Sequence, residues 1–169
     1  VNTLKRVLAV VTMIAATGGG VVLTASPASA ALPYCNNVSG VSDDAAGLSR
    51  YETYVNSSGS YTVSCDMNYL NENGSAGQRR AIKQIQWDLV FCYGQGISID
   101  GEYGPNTRQA VKNVQSYLNT YEGAGLVVDG WAGPNTRKKM KHVATEQTFC
   151  VHTSNPSIWP GWEWLDVPY

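Results

Sequence analysis

Two histidines, His142 and His152, and four cysteines, Cys35, Cys65, Cys92 and Cys150, are the side chains in this 169-residue chain best suited to metal or nucleophilic chemistry. Zinc catalysis needs at least three His, Asp, Glu or Cys ligands and a base. Neither histidine has a partner at ligand spacing: His142 ends a Lys-rich segment and His152 stands two residues after Cys150. A cysteine nucleophile needs a free thiol beside a histidine. Cys150 and His152 would share one face of an extended segment without being set for proton transfer. Asp100 and Asp129 are carboxylates that could oppose each other across a cleft, as glycoside hydrolysis requires. Each, however, begins an Asp-Gly pair, where the aspartate ordinarily bonds the backbone of its own turn. These residues predict no catalysis, no metal and no cofactor. What the chain offers is recognition. Tyr103 and Trp131 can stack on the apolar faces of rings, and Arg108 and Arg137 can clamp carboxylates in a bidentate fork.

All four recognition residues sit in one repeated device. DGEYGPNTR at Asp100–Arg108 returns as DGWAGPNTR at Asp129–Arg137, 29 residues later and identical at seven of nine positions. In each copy the Gly of the Asp-Gly pair, Gly101 or Gly130, can take positive φ, and the aspartate can accept hydrogen bonds from the backbone just beyond it. Gly104-Pro105 and Gly133-Pro134 then read as N-cap and first helical residue, since proline has no N–H to leave orphaned there. Thr107 and Thr136 fall where a hydroxyl can reach back to the cap. Each copy therefore reads turn, short loop, helix.

Three helices follow from the apolar spacing. The first runs from Gln78 to Phe91, with Ala81, Ile82, Ile85 and Leu89 on one face. The second runs from Pro105 to Tyr121, with a stripe of Ala110, Val111, Val114, Tyr117 and Leu118. The third runs from Pro134 to Val143, with a thin apolar face of Met140 and Val143. No helix of such length is stable alone, so the stripes must pack on one another. Before them, Tyr51–Val55 and Ser60–Cys65 alternate around Asn56-Ser57-Ser58-Gly59 and predict a small hairpin. After them, Ile158–Tyr169 carries Trp159, Trp162, Trp164 and Tyr169, with Pro160 and Pro168 blocking regular helix. Those rings are expected to cover the helical core, or else to form an exposed aromatic platform.

Residues 1–30 read as a secretory signal: Lys5 and Arg6, an apolar run from Val7 to Leu23, then Ala28-Ser29-Ala30. Removing Lys5 and Arg6 leaves ten basic and thirteen acidic residues, a net charge of −3. That argues against nucleic acid as a partner. The cluster Arg137, Lys138, Lys139 and Lys141 reads as a solvated helix face. An even number of cysteines in an exported chain predicts two disulfides. Three pairings are possible, and Cys65–Cys92 with Cys35–Cys150 is favoured. The expected organisation is a signal at 1–30, a β/irregular N-terminal arm at 31–77, a three-helix domain at 78–143 and a Trp-rich tail at 144–169. The fold class is mainly α and disulfide-stabilised, and the mature chain is expected to be a monomer with no membrane association.

The helical segment resembles the peptidoglycan-binding-like domain of bacterial cell-wall proteins, a three-helix module. The family's first helix carries an aliphatic-Gln pair, matched by Ile85-Gln86, and its second a similar pair, matched by Val114-Gln115. Its later helices are each introduced by a DGxxGxxT turn, present at Asp100–Thr107 and Asp129–Thr136. Two departures stand out. Gly74 and Gly77 lie further upstream of Ile85-Gln86 than the family's glycine pair, and Ala132 replaces the aromatic that Tyr103 supplies in the first turn, with Trp131 adjacent. The resemblance implies a secreted, non-catalytic protein that binds peptidoglycan, glycan and stem peptide together, through Tyr103, Arg108, Trp131 and Arg137. The rival expectation is a secreted interaction factor or inhibitor that uses the aromatic tail.

Overall fold

The computed structural model describes residues 31–43, 47–68, 74–144, 149–152 and 157–163. The expected signal at 1–30 lies outside them, as do Trp164 and Tyr169 of the tail. Among the described residues no helix is long and apolar enough to cross a membrane.

Helix α1 (Ala76–Tyr93) begins at a capping box, with Gln78 N–H donating to the Ser75 hydroxyl and the Gln78 side chain accepting from Ser75 N–H. Left-handed Gly94 ends it, its N–H bonding Val90 while Gln95 N–H bonds Leu89. Helices α2 (Pro105–Glu122) and α3 (Pro134–Lys139) start as the repeat predicts, with extended Gly104 and Gly133 as caps and proline at the first helical position. Ala81, Ile82, Ile85 and Leu89 of α1 are buried against Ala110, Val111, Val114 and Leu118 of α2. Tyr117, expected in that stripe, is 45% exposed.

The chain is not mainly α, as expected, but mixed. Strands β1 (Asn37–Asp43) and β2 (Gly47–Val55) pair antiparallel from Asn37↔Thr53 to Asp43↔Gly47. Strand β3 (Tyr61–Thr62) completes the expected hairpin with β2. Its Asn56–Gly59 turn is fixed by Asn56 Oδ1, which accepts from the N–H groups of Ser58 and Ser60. Strands β4 (Lys141–Val143) and β5 (Cys150–His152) form a second, two-stranded sheet. Strand β6 (Ser157–Glu163), from the Trp-rich tail, pairs with β1 at the edge of the first sheet, order β3-β2-β1-β6. An edge tolerates Pro160 and the irregular register between Ser39 and Val41, because one side of the strand needs no partner.

The N-terminal segment shares the helical core: Cys35, Cys65 and Met67 are buried among the α1 and α2 side chains. Gly77, in the first turn of α1, makes this possible, since a Cβ there would strike the carbonyl oxygen of Asn36. The favoured disulfide pairing is corrected. The bonds are Cys35–Cys65 and Cys92–Cys150. Cys35 N–H donates to Asp66 O and Asp66 N–H to Pro33 O, which lays 33–35 alongside 65–66 and sets the two cysteines 5.0 Å apart at Cα. Cys92 meets Cys150 because β5 rides on β4, and β4 is held to α1 (below).

Helix α3 is also shorter than predicted, ending at Lys139 instead of Val143. Met140 and Val143 are both buried, but they do not need a helix to be so, because tertiary hydrogen bonds compete for the backbone beyond Lys139. Lys141 N–H donates to the Tyr93 hydroxyl (2.6 Å) and Val143 N–H to Asp88 Oδ1 (2.9 Å). These draw 141–143 into a strand.

Candidate functional site

The two turns are built on one plan, atom for atom. In the first, Gln86 of α1 enters the loop. Its Nε2 donates to Asp100 Oδ1 (2.8 Å), Glu102 O (3.1 Å) and Thr107 Oγ1 (3.0 Å), and its Oε1 accepts from Gly101 N–H (2.8 Å). In the second, Gln115 of α2 bonds Asp129 Oδ1 (2.9 Å), Trp131 O (3.1 Å), Thr136 Oγ1 (3.2 Å) and Gly130 N–H (2.9 Å). Each aspartate also accepts from the N–H two residues on, Glu102 or Trp131, at 2.8 Å. Gly101 and Gly130 sit at φ +79° and +80°, which a Cβ would strain. Slight burial raises the Asp100 pKa, but the Gln86 and Glu102 hydrogen bonds outweigh it and hold the carboxyl below its usual range. The role of the aliphatic-Gln pairs is thus physical: the aliphatic residue fills the core and the glutamine welds a helix to the next turn.

Two of the four expected ligand contacts are corrected. Tyr103 is fully buried, and its hydroxyl donates to Gly130 O (3.0 Å) and accepts from Ala132 N–H (3.1 Å). Its ring locks the first turn onto the second and offers no face to a ligand. Arg137 is fully buried as well, at 0% exposure. Its guanidinium donates to Glu52 O (2.8 Å), Val63 O (2.9 Å) and Cys65 O (2.6 Å), and its Nε to Ala132 O (3.0 Å). It stitches α3 to β2 and to the segment after β3. Arg108 is half-buried, its stem packed on Gly130 and its Nε 3.4 Å from Asp129 O.

Trp131 does reach solvent, at 38% exposure, on the edge of a groove of about 410 Å³. Leu126 and Val127 supply apolar wall, Asp66 and Asp129 two carboxylates, and Lys138 and Lys139 two ammonium groups. The groove therefore presents a ring face flanked by both signs of charge, suited to a zwitterionic ligand with an apolar face. The lysines were legible as a basic cluster. Asp66, more than 60 positions upstream, carried no signal of this placement.

Sequence reasoning also missed a buried charge cluster beneath α1 and β4. His142 Nδ1 lies 2.7 Å from Asp88 Oδ2, and Nε2 lies 2.9 Å from Arg137 O. Asp88 Oδ1 accepts from Gln84 Nε2 and from Val143 N–H. Glu52 Oε2 stands 3.5 Å from the Arg137 guanidinium, and Glu52 Oε1 is buried without a hydrogen bond. Tyr51 packs between, its ring 4.4 Å from that of His142 and 5.2 Å from the Arg137 guanidinium carbon. One ligand atom each from Glu52, Asp88 and His142 lies within 4.8 Å of the others, near enough to surround a cation. A carbonyl can only accept, so Nε2 carries a hydrogen, and when the imidazole is protonated Nδ1 directs a second one at the Asp88 carboxylate. In that state the imidazole has no lone pair for a metal, and the guanidinium supplies positive charge beside Glu52.

This cluster makes stability depend on pH. Burial alone would lower the His142 pKa, but the Asp88 carboxylate, its hydrogen bond and Glu52 raise it overall. Burial, reinforced by Asp88, pushes Glu52 from 4.5 up to about 7 against the pull of His142 and Arg137. Both folded-state pKa values lie above the unfolded ones. Each contribution is therefore complete below the unfolded pKa and is lost as pH rises through the folded one. Stability should fall from pH 4.5 to 7 through Glu52, and above pH 6.5 through His142. Calorimetry across pH 4.5–8.5 should show a steadily declining Tm, and Glu52→Gln should flatten the portion below pH 7. A Tm that is constant or rises over this range would contradict the assignment.

Two turn-led helices, each turn plugged by a glutamine from the preceding helix, define a tandem helical module. Residues 78–140 match the family model of a peptidoglycan binding domain, well under half of the chain. Over that span the chain is similar to such a domain. No curated protein and no solved structure matches the chain.

Proposed function

We propose that this protein is exported from a bacterial cell and binds peptidoglycan without cleaving it, through the groove beside Trp131. The observation that carries this reading is that the family match spans the residues that set Trp131, Lys138 and Lys139 around one groove. The indole would stack on a sugar face, the lysines would meet stem-peptide carboxylates, and Asp66 or Asp129 would meet an ammonium. Arg108 would act through the turn it supports. Asp100 and Asp129 each have Oδ1 held by their own turn, which leaves Asp129 Oδ2 for the ammonium.

The test is retention of the oxidised protein on purified sacculi, with turbidity followed in parallel. Trp131→Ala should reduce retention about tenfold, in keeping with loss of one central aromatic contact, at unchanged turbidity and unchanged Tm. Retention equal to wild type would reject the groove, and clearing of the suspension would reject a purely binding role.

A further inference from the structure

A second cleft, of about 280 Å³, opens between the end of α1 and the outer face of α2, and shares no lining residue with the Trp131 groove. Tyr93 and Tyr117 line it, and Tyr121 continues the row of rings beyond its rim. Tyr93 and Tyr117 meet edge to face with centroids 6.1 Å apart, and Tyr117 and Tyr121, one helical turn apart, lie at 4.9 Å. Tyr117 is 45% and Tyr121 74% exposed. Core packing explains neither ring, because the buried stripe of α2 is complete with Ala110, Val111, Val114 and Leu118. The Tyr93 ring is pinned by the bond from Lys141 N–H to its hydroxyl.

Gln95 and Asn113 of the lining belong to a chain of side-chain amides. Gln109 Nε2 donates to Asn113 Oδ1 (3.0 Å), Asn113 Nδ2 donates to Gln95 Oε1 (2.9 Å), and Gln95 Nε2 donates to Tyr93 O (3.2 Å). Each amide is held in one orientation by its neighbour. Each has two N–H groups and an oxygen with two lone pairs, so these bonds leave further capacity on Gln95 and Asn113, which line the cleft. Among the described residues, Lys141 supplies the one charge in the lining, which includes no carboxylate. Ordered amides next to exposed ring faces, with little charge, match a pyranose that presents C–H groups on one side and an acetamido group on the other. Rings bind the C–H face, and fixed amides exchange N–H and C=O bonds with the acetamido group.

We propose that the cleft of Tyr93 and Tyr117 with Gln95 and Asn113, extended at its rim by Tyr121, is a saccharide site that takes an N-acetylated amino-sugar ring of a glycan strand. The choice of that sugar rests on the wall-binding reading, whereas the site itself is independent of the Trp131 groove. The protein would then hold a glycan at one surface and a peptide-bearing unit at another.

The probe is tri-N-acetylchitotriose, which carries the sugar and no peptide, titrated into the oxidised protein and followed by NMR. The expected result is a shift of the Asn113 and Gln95 side-chain amide signals and the Tyr117 and Tyr121 ring signals. Affinity read from these cleft signals should fall at least fivefold in Tyr121→Ala and in Asn113→Ala, and should be unchanged in Trp131→Ala. Tyr121 projects into solvent, so its replacement leaves the fold intact, and an unchanged Tm checks this. No shift in the cleft, or shifts confined to the Trp131 groove, would overturn the proposal. If sacculi still retain the protein in that case, the wall-binding reading stands alone; if they do not, both fall.

Discussion

Arg137→Ala should cost about 3–5 kcal/mol, the range for removing one partner from a buried, hydrogen-bonded charge network. The substitution would leave the carbonyls of Glu52, Val63 and Cys65 without their guanidinium donor, and the Glu52 carboxyl without its cation. A domain of this size holds about 5–15 kcal/mol in total, so the variant should sit near the edge of folding. Arg137→Lys should fare little better, because one ammonium cannot replace a planar fork that serves carbonyls on three segments. Denaturant midpoints would measure both. A loss below about 1 kcal/mol would mean that the carbonyls find other donors. The same replacement at Arg108, the matching position of the first repeat, should cost less, since that side chain is half-buried and not sealed in the core.

Removing the Cys92–Cys150 bond should be of similar weight. The disulfide closes a sequence separation of 58 residues, for which chain entropy gives about 4 kcal/mol. Cys150 also fixes β5, which pairs with β4 and so keeps His142 over Asp88. Cys92→Ala/Cys150→Ala should therefore lower the denaturation free energy by about 4 kcal/mol and weaken the pH dependence, because His142 would be less firmly held. A midpoint within about 1 kcal/mol of the parent would show that packing alone holds β5.

These two sites mark where sequence reasoning stopped. The turns were legible because all their signals are local: Asp-Gly, Gly-Pro and Thr within nine residues, and a glutamine one helix earlier. The length of α2 and the buried face of α1 were legible for the same reason. Nothing near Arg137 distinguishes it from Arg108. The two share the same motif position, and what separates them is a set of carbonyl groups as many as 85 residues upstream. The early end of α3 has the same origin, since Asp88 and Tyr93 claim the backbone after Met140. The disulfide pairing depended on how 33–35 lies against 65–66, which no spacing of cysteines encodes. Tyr103 misled in another way. A tyrosine in a turn suits ligand stacking, but this one has its hydroxyl satisfied inside the module.

That hydroxyl decides how far the architecture can grow. The first unit reaches forward and bonds the second through Tyr103, at Gly130 and Ala132. The second unit has Ala132 at the equivalent position and nothing to reach with. Its arginine turns instead to the N-terminal sheet, which closes the open end. The second copy is thus a terminator, and the array is finite by construction. Splicing in a third turn-helix unit after α3 would create a seam without a phenol bridge and displace the sheet that seals the present end. A larger wall footprint would then have to come from several molecules bound side by side, with avidity in place of length.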